Sequence, residues 1–148
     1  MSNRKQVEVT LARLIGEPMW AAGRAGIVWF QFGADRATID RRGNPRAVGT
    51  FALHITCPWR WLEPWGDVRA DDQREHADLV MLGQERLQCV AVTAGESGGF
   101  CLTFSDRSTL IVEPDDGASE GDDDEYWRLF SPGQDTAHFV IGRHGIAE

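Results

Sequence analysis

Four histidines and three cysteines are the residues best able to do chemistry in this chain of 148 residues. His54 and Cys57 form an H-x-x-C pair, which invites a metal. The pair lies in 50–57, Thr-Phe-Ala-Leu-His-Ile-Thr-Cys. Period-two alternation there puts Phe51, Leu53, Ile55 and Cys57 on one face and Thr50, Ala52, His54 and Thr56 on the other. Residues three apart on a strand point to opposite faces, so the two could share an ion only if the strand broke between them. Cys89 and Cys101 lie more than thirty residues further on, in stretches that also read as strand. No metal set and no cofactor site is expected, and a thiol packed in the core is the better account of Cys57.

His54 could act as a general base, because imidazole titrates near neutrality. A hydrogen-bonded structural histidine is the competing account. A Cys–His nucleophile would need a thiol beside His54, His76, His138 or His144 in space. Cys101 and His138 are the easiest pair to imagine, on neighbouring strands, yet no spacing selects them. The sequence holds no G-x-S-x-G, no H-E-x-x-H and no Walker pattern. Catalysis is therefore disfavoured.

Charge points toward binding. Residues 113–125 hold eight acids and no base, which equals the whole net charge of −8. The body is thus neutral and one loop, 114–125, carries the excess. Asp122, Asp123 and Asp124 are its densest part. An EF-hand alignment fails, because acids and glycine do not fall at the required positions. A solvated loop is the plain reading; an electrostatic lure for a basic protein is the sharper one. Clustered Lys and Arg are lacking, so nucleic acid is not an expected partner. No run approaches the ~18 apolar residues a membrane span requires, so no membrane is expected either. Residues 1–10 lack an apolar signal core, and the odd thiol count indicates no disulfide framework, which together suggest the cytoplasm.

Tryptophan and arginine supply the last candidates. Trp59, Arg60, Trp61 and Trp65 follow Pro58 closely. Both residue types are enriched in binding hot spots. Trp59 and Trp61 would share a face if the chain stays extended, with Arg60 opposite, and rings covering the end of the core would explain them equally well. Trp20 and Arg24 are four apart and would meet if 19–24 formed a helical turn. A pocket of Trp20, Arg24, His54 and Arg60 is one expectation. Arg would hold an anion, Trp would stack, and His54 would move a proton.

The elements that must position these residues follow from periodicity. Residues 7–15 read as a short helix with Val7, Leu11, Leu14 and Ile15 on one face and Gly16 as its stop. Residues 26–33 are a strand apolar on both faces, as in an inner strand. The turn at 40–46 leads to the strand around His54, so these two strands should pair antiparallel. Residues 63–72 read as loop, and a helix capped by Asp71 or Asp72 should run to Leu82, ending at Gly83. Strands follow at 87–94, 100–104 and 109–113, the last two forming a hairpin, then at 126–130 and 138–141. Antiparallel strands with few helices mean an α+β fold: one sheet of about six to seven strands, with strong curvature or a half-open barrel left open, covered by one or two helices. The length fits one domain spanning 1–148.

Several stretches resemble a family of small bacterial single-domain proteins of no known activity. They are Leu14-Ile15-Gly16-Glu17-Pro18-Met19-Trp20, Gly23-Arg24-Ala25, Trp29-Phe30-Gln31-Phe32-Gly33, Leu53-His54-Ile55-Thr56-Cys57-Pro58-Trp59-Arg60, Gly98-Gly99-Phe100, Leu102-Thr103-Phe104, Tyr126-Trp127-Arg128-Leu129-Phe130 and His138-Phe139-Val140-Ile141. The resemblance implies a single complete domain and assigns no functional residue. The function expected from the residues is a non-enzymatic binding protein that holds a basic protein partner, of which an immunity protein against a basic toxin is the concrete form. The alternative is a small-molecule-binding or hydrolytic domain using the Trp/Arg/His pocket.

Overall fold

A computed structural model describes residues 3–34, 36–39, 42–95, 97–114, 125–132, 137–143 and 145–146. The fold is α+β, with two short helices and thirteen strands among the described residues. Helix α1 (Asn3–Leu11) runs into a 3-10 turn, Ala12–Leu14. Strands β1 (Pro18–Ala25) and β2 (Ile27–Phe32) form a hairpin. A separate two-stranded ribbon, β3 (Arg36–Ile39) and β4 (Pro45–Val48), leads to β5 (Phe51–Ile55). Then come β6 (Trp59–Leu62), β7 (Val68–Asp71), α2 (His76–Gly83) and β8 (Leu87–Ala94). The chain continues with β9 (Phe100–Phe104), β10 (Thr109–Val112), β11 (Glu125–Phe130), β12 (Phe139–Gly142) and β13 (Gly145–Ile146).

Eleven strands join in one antiparallel order, β13-β12-β11-β5-β2-β1-β8-β9-β10-β6-β7. The sequence reading of six to seven strands is therefore too low. Its α+β class and its antiparallel pairing of the strands around Phe30 and Leu53 agree with the structure. Six of the thirteen strands escaped notice, and three of these, β1, β6 and β7, did so for plain physical reasons. Met19–Arg24 is rich in Ala and Gly, which favour no strand, yet it pairs with β2 from Met19↔Phe32 to Ala25↔Ile27. Tertiary pairing overrides local preference there. The break around Pro58 spans only residues 56–58, and β6 starts at Trp59. The stretch read as loop at 63–72 holds β7, a four-residue edge strand.

The sheet bends where β1 meets β8. Two residue pairs, Pro18↔Gln88 and Met19↔Leu87, join them. The six strands on one side of this corner fold over the five on the other. Rings from the two halves meet in the space between. Trp61 of β6 stacks on Phe104 of β9 with centroids 4.5 Å apart and lies 6.3 Å from Phe30 of β2. Phe30 also meets Trp59 edge-on, and Trp127 of β11 meets Phe100 of β9 at 4.8 Å. Trp127 Nε1 donates to the Gly98 carbonyl at 2.7 Å, which ties the halves at the other side. Helix α1 contributes Val7 and Leu11 to this core and the following turn adds Leu14. Helix α2 contributes Leu79 and Leu82 and lies against β1.

Candidate functional site

Interior-facing strand positions fill the core, so a site must be sought on the outer faces. On the six-strand half, β2 turns Val28, Phe30 and Phe32 inward and Ile27, Trp29 and Gln31 outward. The pairing register then sets the neighbours. Trp29 lies opposite His54 of β5, and His54 lies opposite Arg128 of β11. In the next row Gln31 lies opposite Ala52, and Ala52 opposite Phe130. A bulge between Met19 and Ala21 in β1 inserts Trp20 as an extra residue, and Trp20 joins this outer face. The result is a cleft of about 510 Å³ lined by Trp20, Ala21, Ala25, Ile27, Trp29, Gln31 and His54. That size lies within the range of small-molecule pockets, roughly 300–1,000 Å³.

Its polar atoms are few and placed. The Gln31 side chain is 8% exposed, and its Oε1 accepts the Gly49 N–H at 2.9 Å. That bond fixes the amide, and its NH₂ has no partner among the described residues. A side chain at Gly49 would meet the Phe32 carbonyl and the Trp20 indole nitrogen, so the close fit of this loop depends on glycine. Neither ring nitrogen of His54 has a hydrogen-bond partner among the described residues. Burial, then the Arg128 guanidinium, pushes the His54 imidazole down to about 4, with Glu125 opposing and His138 adding a smaller push. His54 is thus neutral at physiological pH and can both donate and accept.

Beside the cleft, Phe130 packs edge-on against His54 at 4.7 Å and stacks with His138 at 4.3 Å. Arg128 Nη1 donates to His138 Nδ1 at 2.8 Å, and Arg128 Nε donates to Glu125 Oε2 at 2.8 Å. This strip is held together by its own members.

The residues expected to form one pocket do not all meet. Trp20 and His54 do, with Trp29 and Gln31 added. Arg24 does not: it pairs opposite Val28, on the inward side of β1, and its guanidinium donates to the Asp72 carbonyl. Arg24 and Trp20 are on a strand, so the helical meeting expected of them does not occur. Arg60 lies on the outer side of the other half of the sheet and pairs with Glu113 at 2.9 Å. Trp61 is 0% exposed and serves the core, while Trp65, in the β6–β7 turn, is 72% exposed. Asp122, Asp123 and Asp124 lie outside the described residues, as does His144. Of the eight acids in 113–125 two are described, and each pairs with an arginine of the same molecule: Glu113 with Arg60, Glu125 with Arg128.

Burial holds the three thiols toward their protonated form. Burial pushes Cys57 up to about 12 and Cys89 up to about 11, and also raises Cys101. Cys101 lies on β9 with Glu113 and Arg60 as its charged neighbours, whereas His138 stacks on Phe130 across the molecule. The imagined Cys101–His138 pair does not form. Among the described residues no three His, Cys, Asp or Glu side chains are grouped to hold a metal ion. Among the same residues no helix is long and apolar enough to cross a membrane.

Trp29 and Gln31 went unselected in the sequence as site residues. The signal was present: a strand with two apolar faces, one of which carries a glutamine between a tryptophan and a glycine. Comparison with family models, with curated proteins and with solved structures finds no match.

Proposed function

We propose that this chain is a non-enzymatic binding protein that holds a small molecule in the cleft between Trp20, Trp29 and His54. The observation that carries the reading is the cleft itself, with two indoles, an immobilised amide and a neutral imidazole turned to one space. Indole walls supply contact area, and a few fixed polar atoms supply orientation, which is how small-molecule sites are generally built. A cytoplasmic setting goes with it, since the three cysteines are free and two are buried. A thermal-shift screen against a metabolite collection tests it. A ligand at 100 times its Kd should add about 2.7 kcal/mol of stability, and Trp29→Ala should abolish that gain. Hits that Trp29→Ala leaves unchanged would refute the assignment.

A second reading rests on the charge distribution. Six acids in 115–124 have no base among them, and they could hold a basic protein, as an immunity protein holds a toxin. The pairing of Glu113 and Glu125 with Arg60 and Arg128 reduces the charge left for such a partner. Deleting 117–124 tests it. Capture of a basic partner should fall, and its salt dependence should flatten. An unchanged affinity would exclude this reading.

A further inference from the structure

We infer that the outer-face cleft takes an uncharged, planar heteroaromatic ring that presents a carbonyl or ring-nitrogen acceptor to Gln31 and a second polar edge atom to His54. This deepens the binding function proposed above and rests on it. Three features of the cleft select the class.

The first is shape. Trp20 and Trp29 are both half-buried and line the same space, so each offers an apolar ring surface. A flat ring gains more contact on such walls than a branched chain does. Base–indole stacking is, moreover, tolerant of the exact ring, because every aromatic ring has a π-face.

The second is the hydrogen-bonding inventory. The Gly49 N–H occupies one lone pair of Gln31 Oε1 and anchors the oxygen end, so the part of the amide left without a described partner is its NH₂, a donor. His54 offers one donor and one acceptor while neutral. Gln31 and His54 are diagonal neighbours on adjacent strands, because Gln31 faces Ala52 while Trp29 faces His54. Diagonal positions lie about 7–8 Å apart, the reach of one fused ring system with polar atoms on one edge. A ligand without an acceptor would strip water from the Gln31 NH₂ and give nothing back.

The third is charge. Among the described residues no carboxylate and no cationic side chain lines the cleft. Arg128 stands behind His54 and is bonded to Glu125 and His138, so a cationic ligand would meet a like charge near its far wall. An anion would lose water without an ion partner in the lining.

The test uses the full chain and three probes in solution: caffeine, which is uncharged, planar and acceptor-rich; benzoate, a planar anion; and tryptamine, a planar cation. Two-dimensional NMR would follow the Trp29 indole N–H, the Gln31 side-chain NH₂ and the His54 ring protons. Caffeine should shift all three sets in a saturable manner, with benzoate and tryptamine at least tenfold weaker. Gln31→Glu keeps an oxygen for the Gly49 N–H and removes the NH₂, and it should weaken caffeine by about tenfold or more. Its fold is checked by unshifted amides of core strands away from residue 31, such as Leu102 and Leu110. Equal or stronger shifts from benzoate or tryptamine would overturn the ligand class while leaving a small-molecule site in place. Shifts by caffeine that Gln31→Glu does not weaken would overturn the donor assignment. No shift at these three residues from any probe would overturn the cleft as a binding site together with the ligand class.

Discussion

His76 Nδ1 accepts the backbone N–H of Arg24 at 2.9 Å. A side chain from α2 thereby takes the place of the strand that β1 lacks along this part of its edge. Strand β8 pairs with β1 at Pro18 and Met19, and beyond that point the helix covers the edge instead. An open row of N–H groups is a template for unwanted pairing, and the imidazole closes one of them. His76→Ala should cost about 1 kcal/mol, the net worth of one partly exposed hydrogen bond. Amide exchange at Arg24 should accelerate in the variant. An unchanged exchange rate would show that the bond does not protect the edge.

Gly83 lets the far end of the same helix approach β1. A Cβ there would lie 2.6 Å from the Ala22 nitrogen and 2.7 Å from the Ala21 Cα. Both are backbone atoms and cannot turn aside. In an open helix Gly→Ala would gain up to about 1 kcal/mol from propensity. Here the overlap should win, and Gly83→Ala should destabilise by about 1–3 kcal/mol. Urea denaturation checks the sign.

His54 gives the fold a pH dependence. Its folded value is about 4, against an ordinary 6.5, because burial and Arg128 penalise the charged form. The unfolded chain therefore binds the extra proton first. Stability from this residue is complete above pH 6.5 and is lost as pH falls from 6.5 toward 4. The charged or titratable groups facing it are Arg128, Glu125 and His138. Because the ring is only half-buried, solvent screening reduces the effect to roughly 1 kcal/mol. His54→Phe should flatten the stability curve over that window, as read by denaturation at pH 7 and pH 5.

Trp61 and Trp127 are both fully buried yet differ in their polar atoms. Trp127 Nε1 has the Gly98 carbonyl, whereas Trp61 Nε1 has no partner among the described residues. Trp127→Phe strands a carbonyl, while Trp61→Phe removes an unpaired donor. The first should cost about 1–2 kcal/mol more than the second in thermal unfolding. Trp61→Ala, which empties the space between Phe30 and Phe104, should cost about 3–5 kcal/mol.

Cys101 should react first with a thiol reagent at pH 8. It is only partly buried, whereas Cys57 and Cys89 are buried and shifted furthest. Counting thiols with a chromogenic disulfide should give one slow equivalent in native protein and three after unfolding. Fast reaction of all three in native buffer would contradict the burial described.

Alternation made the strands around Phe30, Leu53, Leu102 and Leu110 legible, since each carries bulky residues every second position. It also placed Trp59 and Trp61 on one face with Arg60 opposite, as the structure has them. It missed β1, because Ala21, Ala22 and Gly23 carry almost no periodic signal and their extended form is imposed by β2. The site was half legible. Trp20 and His54 attracted notice as reactive types, but the bulge that turns Trp20 outward and the register that sets His54 beside Trp29 are long-range facts. Arg24 and Arg60 looked like pocket residues by type alone, and topology sent them elsewhere.

β5 sits between β2 and β11, and the second of these begins about 70 residues after β5 ends. During synthesis at about 5–20 residues per second, a nascent chain would wait roughly 4–14 s with that flank of β5 unmatched. For that interval the emerging polypeptide carries a sticky margin beside Leu53 and Ile55, open to mispairing until β11 emerges.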